Sequence, residues 1–306
     1  MLTTLCNISI ASHFQIYNPP FTLNITIKHP YNYLSLCRYI KRPLKKFRFL
    51  LLLVFLIIPF LLHAQKKNRC LITSGGPGYL KVRDIGMSPL LYSGLGYLVS
   101  SSYESSSEKK FNFININLTY GKIKHTKSEW GVLHNGRVEI NYKHLRNIAN
   151  YRNTSISIGG NFSFLSVYRY QPYFLNSSHN YEIIHSLGLT ASINRFILID
   201  EKLLNITCTV NTPVISAVIR PAYASPLPEG LQTFKIGLAE AYIKSVNLLS
   251  FRKYIRLNNI LSANYPLFKK HIMRLSYGWE FYQLNTINPV VYGEHSILLS
   301  VIIKLK

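Results

Sequence analysis

The chain has 306 residues, room for one large domain or two ordinary ones, and carries 35 Lys plus Arg against 12 Asp plus Glu, a formal net charge of +23. A surplus of that size favours an anionic partner such as nucleic acid, phospholipid or lipopolysaccharide. Nucleic acid is set aside because the basic residues are scattered and no nucleic-acid-binding motif occurs, whereas 22 Tyr and 16 Phe suit a membrane interface.

Residues 1–43 form an atypical leader, rich in Asn, Tyr, Ile and Leu, with no acidic residue and no sustained period. It reads as an extended n-region or as the product of a start assigned too early. Residues 44–64 read as a signal peptide. The basic cluster Lys45, Lys46 and Arg48 precedes an apolar run from Phe49 to Leu62, broken only by Pro59 and followed by His63, Ala64 and Gln65. A spanning helix needs about 20 apolar residues, so this run is short for an anchor and suited to cleavage after Ala64. Cys70 sits in Lys-Asn-Arg-Cys, which is no lipobox. With Cys208 it is expected to survive cleavage; the four cysteines show no metal spacing, and this pair could bridge in an oxidising compartment, two isolated thiols being the preferred reading.

Past residue 88 the dominant signal has period two rather than 3.6. In "FNFININLTYGK" (111–122), Ile114, Ile116, Leu118 and Tyr120 oppose Asn115, Asn117 and Thr119. In "RVEINYKHL" (137–145), Val138, Ile140 and Tyr142 oppose Arg137, Glu139, Asn141 and Lys143. "TSISIGGNFSFLSVYRY" (154–170), "HSLGLTASIN" (185–194), "LLNITCTVN" (203–211), "IMRLSYGWEFY" (272–282) and the final "ILLSVIIKLK" repeat the pattern. Several runs exceed an ordinary soluble strand of about 5–6 residues and match the roughly 9–11 that cross a bilayer.

The expected fold is therefore all-β: one antiparallel transmembrane β-barrel over 65–306, with ten to twelve strands and twelve preferred on length. Its apolar face meets lipid, its polar face lines the lumen, and closure satisfies every backbone group. Tyr97, Tyr120, Tyr170, Tyr265 and Tyr282 at strand ends suit aromatic girdles. Strands are expected near 89–102, 109–124, 136–147, 153–170, 180–196, 201–212, 213–224, 252–265, 270–283 and 293–306. Further strands are placed near 71–83 and within 231–250. A soluble secreted sandwich or lipocalin-like barrel would also alternate.

The His-Ala-Gln end of the signal and the Tyr- and Asn-rich alternating chain resemble outer-membrane β-barrel proteins of the Bacteroidota. The resemblance is one of pattern, with no specific motif. It implies the outer membrane of a Gram-negative cell, with lipid and lipopolysaccharide around the barrel, and insertion by the barrel-assembly machinery. The ending Lys304-Leu305-Lys306 departs from the terminal aromatic residue frequent in such barrels.

Catalytic signals are few. Gly75 and Gly76 lack a following Gly-Lys-Ser/Thr, and seven Asn-x-Ser/Thr sequons are what an Asn-rich chain produces by chance. A Ser/His lipid hydrolase is the alternative function. However, no Ser accompanies His134 in its motif, and His185 and Ser186 are neighbours that a strand points to opposite faces. No catalytic, metal or cofactor residue is assigned. The singled-out residues are the lumen-lining candidates Arg137, Glu139, Asn141, Lys143, Arg169, Arg274 and Glu280. They either select a polar solute in a narrow channel or form a plug of ion pairs in a structural or accessory subunit of an envelope complex. A ten- to twelve-stranded lumen is narrow, which favours the plug.

Overall fold

A computed structural model describes residues 68–107, 109–125, 131–199, 202–221, 240, 244–268, 271–286 and 288–305. The leader and signal segments lie outside these residues. The strands are β1 (Asn68–Asp84), β2 (Ser88–Ser106), β3 (Lys110–His125), β4 (Val132–Tyr151), β5 (Thr154–Tyr170), β6 (His179–Ile199), β7 (Lys202–Ile219), β8 (Val246–Ser250), β9 (Tyr254–Phe268), β10 (His271–Leu284) and β11 (Val290–Leu305). A 3-10 helix, Pro172–Ser177, joins β5 to β6.

Every neighbouring pair is antiparallel, and β1 pairs with β11 while β6 pairs with β7, so the sheet closes on itself. Ten strands form the ring, in the order β1 to β7 and then β9, β10 and β11; β8 pairs with β7 and stands outside it. Closure pairs the strands around the ring, the condition for strands in hydrocarbon; the exceptions are the outer edge of β8 and the start of β9, whose pairing with β7 begins at Asn258.

The alternation read from sequence divides the two faces. Arg137, Glu139, Asn141 and Lys143 are buried inside, whereas Val138, Ile140 and Tyr142 are about two-fifths exposed outside. The outward set continues around the ring through Val99, Leu118, Leu187, Leu189, Leu275, Leu299 and Val301, all exposed. An apolar exterior over a polar interior is the polarity of a membrane-spanning barrel and the reverse of a soluble one. Tyr97, Tyr120 and Tyr265 face outward as expected. Tyr282 does not: its ring is fully buried inside, where its hydroxyl meets charged partners. Cys70 and Cys208 are free thiols.

The ring has ten strands rather than the preferred twelve because 201–212 and 213–224 give one strand, β7, running through Pro213, and because β8, the described part of the strand expected within 231–250, stands outside the ring. Proline is tolerated there because both of its neighbours are irregular. On the β6 side Leu187 pairs with Ile215 and Gly188 with Pro213, which leaves Val214 as the extra residue of a bulge. On the other side the β9 pairing ends at Asn211 with Asn258, and the β8 pairing begins at Ile215 with Ser250. The bulge also resets the alternation: Asn211 faces in before it, and Ser216 and Val218 face in after it. The expected strand within 231–250 falls partly outside the described residues, and its described part is β8.

The connections differ at the two ends. Residues 107–109, 152–153, 200–201 and 269–270 link strands at the end that holds Asn68 and Leu305. At the opposite end the strand ends are separated in sequence by 85–87, 126–131, 171–178, 220–245 and 285–289. Outer-membrane barrels carry short turns on the periplasmic side and longer loops outside. That asymmetry was not visible in the sequence, where the candidate turns look similar in length.

Candidate functional site

The lumen contains three layers, each built from inward positions of successive strands. At the long-loop end the inward residues are bulky and apolar. Leu80, Val82, Ile123, Leu133, Leu165, Val167, Ile184, Val218, Leu284 and Val290 are buried in one cluster with Tyr254, Tyr282 and Tyr292, and Met87 and Phe174 pack against it. These side chains close the barrel.

An ion cluster sits within this apolar layer. Arg169, with no exposed surface, donates from Nη1 to Asp84 Oδ2 at 3.0 Å and Glu182 Oε1 at 2.5 Å, and from Nη2 to the Tyr282 hydroxyl at 2.7 Å. Tyr282 in turn donates to Glu182 Oε2 at 3.0 Å. Arg220 reaches Glu182 at 2.7 Å and Asp84 at 2.5 Å, and Asn180 donates to Asp84 at 3.0 Å. Two cations thus face two carboxylates. Pairing through the Nη groups is what makes such desolvation tolerable, while Arg169 Nε and Arg220 Nε are buried without a partner among the described residues.

The middle layer spans the lumen. Arg137 on β4 donates to its strand neighbour Glu139 at 2.6 Å and across the barrel to Glu280 on β10 at 2.8 Å. Arg256 on β9 bonds Glu280 Oε1 at 3.0 Å and also holds Glu139. Asn258 adds a bond to Glu280 at 2.9 Å. Glu294 lies 3.7 Å from Arg137 and accepts from the Tyr292 hydroxyl, while the Arg137 guanidinium sits 5.2 Å from the Tyr292 ring centroid. In a ten-strand ring β4 and β10 are five strands apart in either direction, so the Arg137–Glu280 bridge crosses the full diameter, and Arg256–Glu139, from β9 to β4, crosses one strand to its side. The spaces left beside them are about 110 and 30 Å³.

Toward the short-turn end the lumen opens into a vestibule of about 470 Å³. Arg274 is held there by Glu104 at 2.9 Å and by Asn264 at 2.6 Å. Lys143 lies over the Phe113 ring at 5.3 Å, and among the described residues it has no carboxylate partner. Ser157, Ser192, Asn194, Asn205, Thr207 and Thr209 line the far wall.

All seven singled-out residues thus face the lumen: Arg137, Glu139, Asn141 and Glu280 in the middle, Arg169 in the closed layer, and Lys143 and Arg274 at the vestibule. Sequence reasoning missed Asp84, Glu104, Glu182, Arg220, Arg256 and Glu294. Acid scarcity could have found most of them. Among the described residues Glu240 is the one carboxylate outside the lumen; the other six all join these networks. A chain this poor in acid that sets one on the polar face of a strand is marking an inward ion pair.

Neither histidine of the hydrolase alternative meets a serine. His134 lies on the outer face with its Nδ1 2.8 Å from the Tyr120 hydroxyl. His185 packs outward against Phe164 at 5.0 Å, whereas Ser186 points inward to Ser216 at 2.7 Å.

No protein-family model matches the sequence, and no curated protein does. Solved structures that resemble the fold include the outer membrane protease OmpT from Escherichia coli, at 8% identity and a TM-score of 0.47, covering 78% of this chain and 97% of that one. The translocator domain of the autotransporter NalP from Neisseria meningitidis aligns at 8% identity and a TM-score of 0.40, covering 81% and 91%. The COG4313 outer membrane channel from Pseudomonas putida F1 aligns at 9% and 0.34, covering 79% and 97%. Superpositions this loose assign no activity to the chain; closure and polarity stand on its own strand pairing.

Proposed function

We propose that this chain is a closed, non-enzymatic outer-membrane barrel that acts as a structural or accessory subunit of an envelope complex, rather than as an open channel. The observation that carries this reading is the pair of bridges across the lumen, from Arg137 to Glu280 and from Arg256 to Glu139. An ion path would have to break these buried pairs and then pass the apolar layer above them. Planar-bilayer recording of the purified barrel tests it: no conductance steps are expected, together with a stoichiometric partner in gentle detergent extracts. Sustained unitary steps would overturn the closed reading.

The surroundings follow from charge. Lys81, Arg83, Lys122 and Lys124 point outward at the long-loop end, and Arg146, Arg195 and Lys202 do so at the other. Basic rims beyond an apolar belt suit anionic lipid on both sides and lipopolysaccharide at the long loops. The Bacteroidota-type assignment and insertion by the barrel-assembly machinery rest on the sequence pattern. So does cleavage after Ala64, which a mature N-terminus at Gln65 would support.

A further inference from the structure

We propose that the vestibule at the short-turn end is a binding site for a saccharide that carries a carboxylate. Three independent features of the cup point to that chemistry. The first is Lys143, which is 6% exposed and is the one buried cation among the described residues without a carboxylate at ion-pair distance. A largely buried side chain whose charge no carboxylate neutralises offers that charge to any anion that enters the cup it lines. Arg274 beside it is already neutralised by Glu104, so the free positive charge sits at Lys143.

The second feature is aromatic. The Phe111 and Phe113 rings stack nearly parallel, 15° apart with centroids at 6.3 Å, and both border the same cup. An aromatic platform of this kind accepts the C–H face of a sugar ring and supplies buried apolar area that a bare inorganic anion could not use. The third is hydrogen-bonding capacity. Asn147 Oδ1 and Asn205 Oδ1 are buried acceptors without a partner, and both residues line the cup. Unmet buried acceptors ask for ligand hydroxyl donors. A cation, a flat apolar face and waiting acceptors together match a hydroxylated ring with one acid group. The volume lies within the roughly 300–1,000 Å³ typical of small-molecule sites.

The site is independent of whether the barrel has a protein partner. The test is isothermal titration of the purified, detergent-solubilised barrel with three probes: glucuronate, glucose and acetate. Glucuronate is expected to bind at least tenfold tighter than either of the others, because each of them lacks half of the recognised chemistry. Lys143→Met should bring glucuronate down to the glucose level, Lys143→Arg should retain binding, and Phe113→Ala should weaken glucuronate while leaving acetate unchanged. Heat-modifiable gel mobility checks that each variant is folded. Acetate binding as tightly as glucuronate would overturn the saccharide assignment. Unchanged glucuronate affinity in folded Lys143→Met, or no binding of any probe, would overturn the site.

Discussion

The two halves of the lumen stand on the same ten strands but are filled in opposite ways. On β5 the inward residues run Ser155, Ser157, Asn161 and Ser163 through the lower half, then change to Leu165, Val167 and the paired Arg169. On β6 they run Ser192, Thr190 and Ser186 before Ile184 and Glu182. Each inward face is therefore amphipathic along its length as well as across the sheet. The upper half behaves as the core of a small soluble protein and closes the barrel. The lower half stays hollow and polar, with hydroxyls and amides that pair locally, as Ser192 does with Thr209 at 3.1 Å and Thr207 with Asn194 at 2.5 Å. The stability of the lumen should accordingly reside in the upper half, and ligand binding in the lower.

The strongest way to break this contrast is to unpair the upper ion cluster. Glu182 accepts from Arg169, Arg220 and Tyr282 with no exposed surface, so Glu182→Ala leaves two buried guanidiniums facing Asp84 alone. Urea unfolding in detergent should register a loss of about 3–5 kcal/mol. Next comes Leu165→Ala, which opens a void in the apolar layer and should cost about 2–5 kcal/mol by the same assay. A loss under about 1 kcal/mol for both would mean that the upper half is not a packed core. Ser157→Ala, at a similar depth below the middle layer, is the control and should stay within about ±0.5 kcal/mol.

Two adjacent glycines on β5 give a finer test. A Cβ on Gly159 would stand 1.8 Å from the His144 carbonyl oxygen, which is backbone and cannot move aside. On Gly160 the nearest atom is the Gly188 carbonyl oxygen at 3.7 Å, an ordinary contact. Gly159→Ala should therefore cost about 1–3 kcal/mol and Gly160→Ala much less. Equal effects on the unfolding midpoint would mean that the close approach of β4 and β5 does not constrain the ring.

Period two made the fold legible from the sequence, because a half-buried strand has no other way to satisfy both faces. Arg137, Glu139 and Glu280 were legible for the same reason, as charges on a polar face. What the alternation could not convey was where that face stops being polar. Leu165, Val167 and Tyr282 look like lipid-facing or girdle residues until the register places them inside. Arg220 was hidden for a different reason: it follows the end of β7, next to a Pro- and Gly-containing segment, where no periodicity marks a face. Pro213 misled the strand count because a bulge on one side and a break between β8 and β9 on the other are features of pairing, invisible in one strand alone.

The smallest expected effect carries the most information about the lower half. Removing one member of a buried ion pair is destabilising because its partner is stranded, but among the described residues no carboxylate is stranded when Lys143 leaves. Its ammonium rests over the Phe113 face at 5.3 Å, a contact worth little to the scaffold. Lys143→Met keeps the length and apolar stem of the side chain and deletes only the charge. The unfolding midpoint should then stay level or rise slightly, the opposite sign from Glu182→Ala. A clear fall, on the order of 2 kcal/mol or more, would show that Lys143 is paired in the folded barrel and serves the scaffold. A level or raised midpoint would leave an unmet cation that the fold does not require, and whose use is the occupant of the cup.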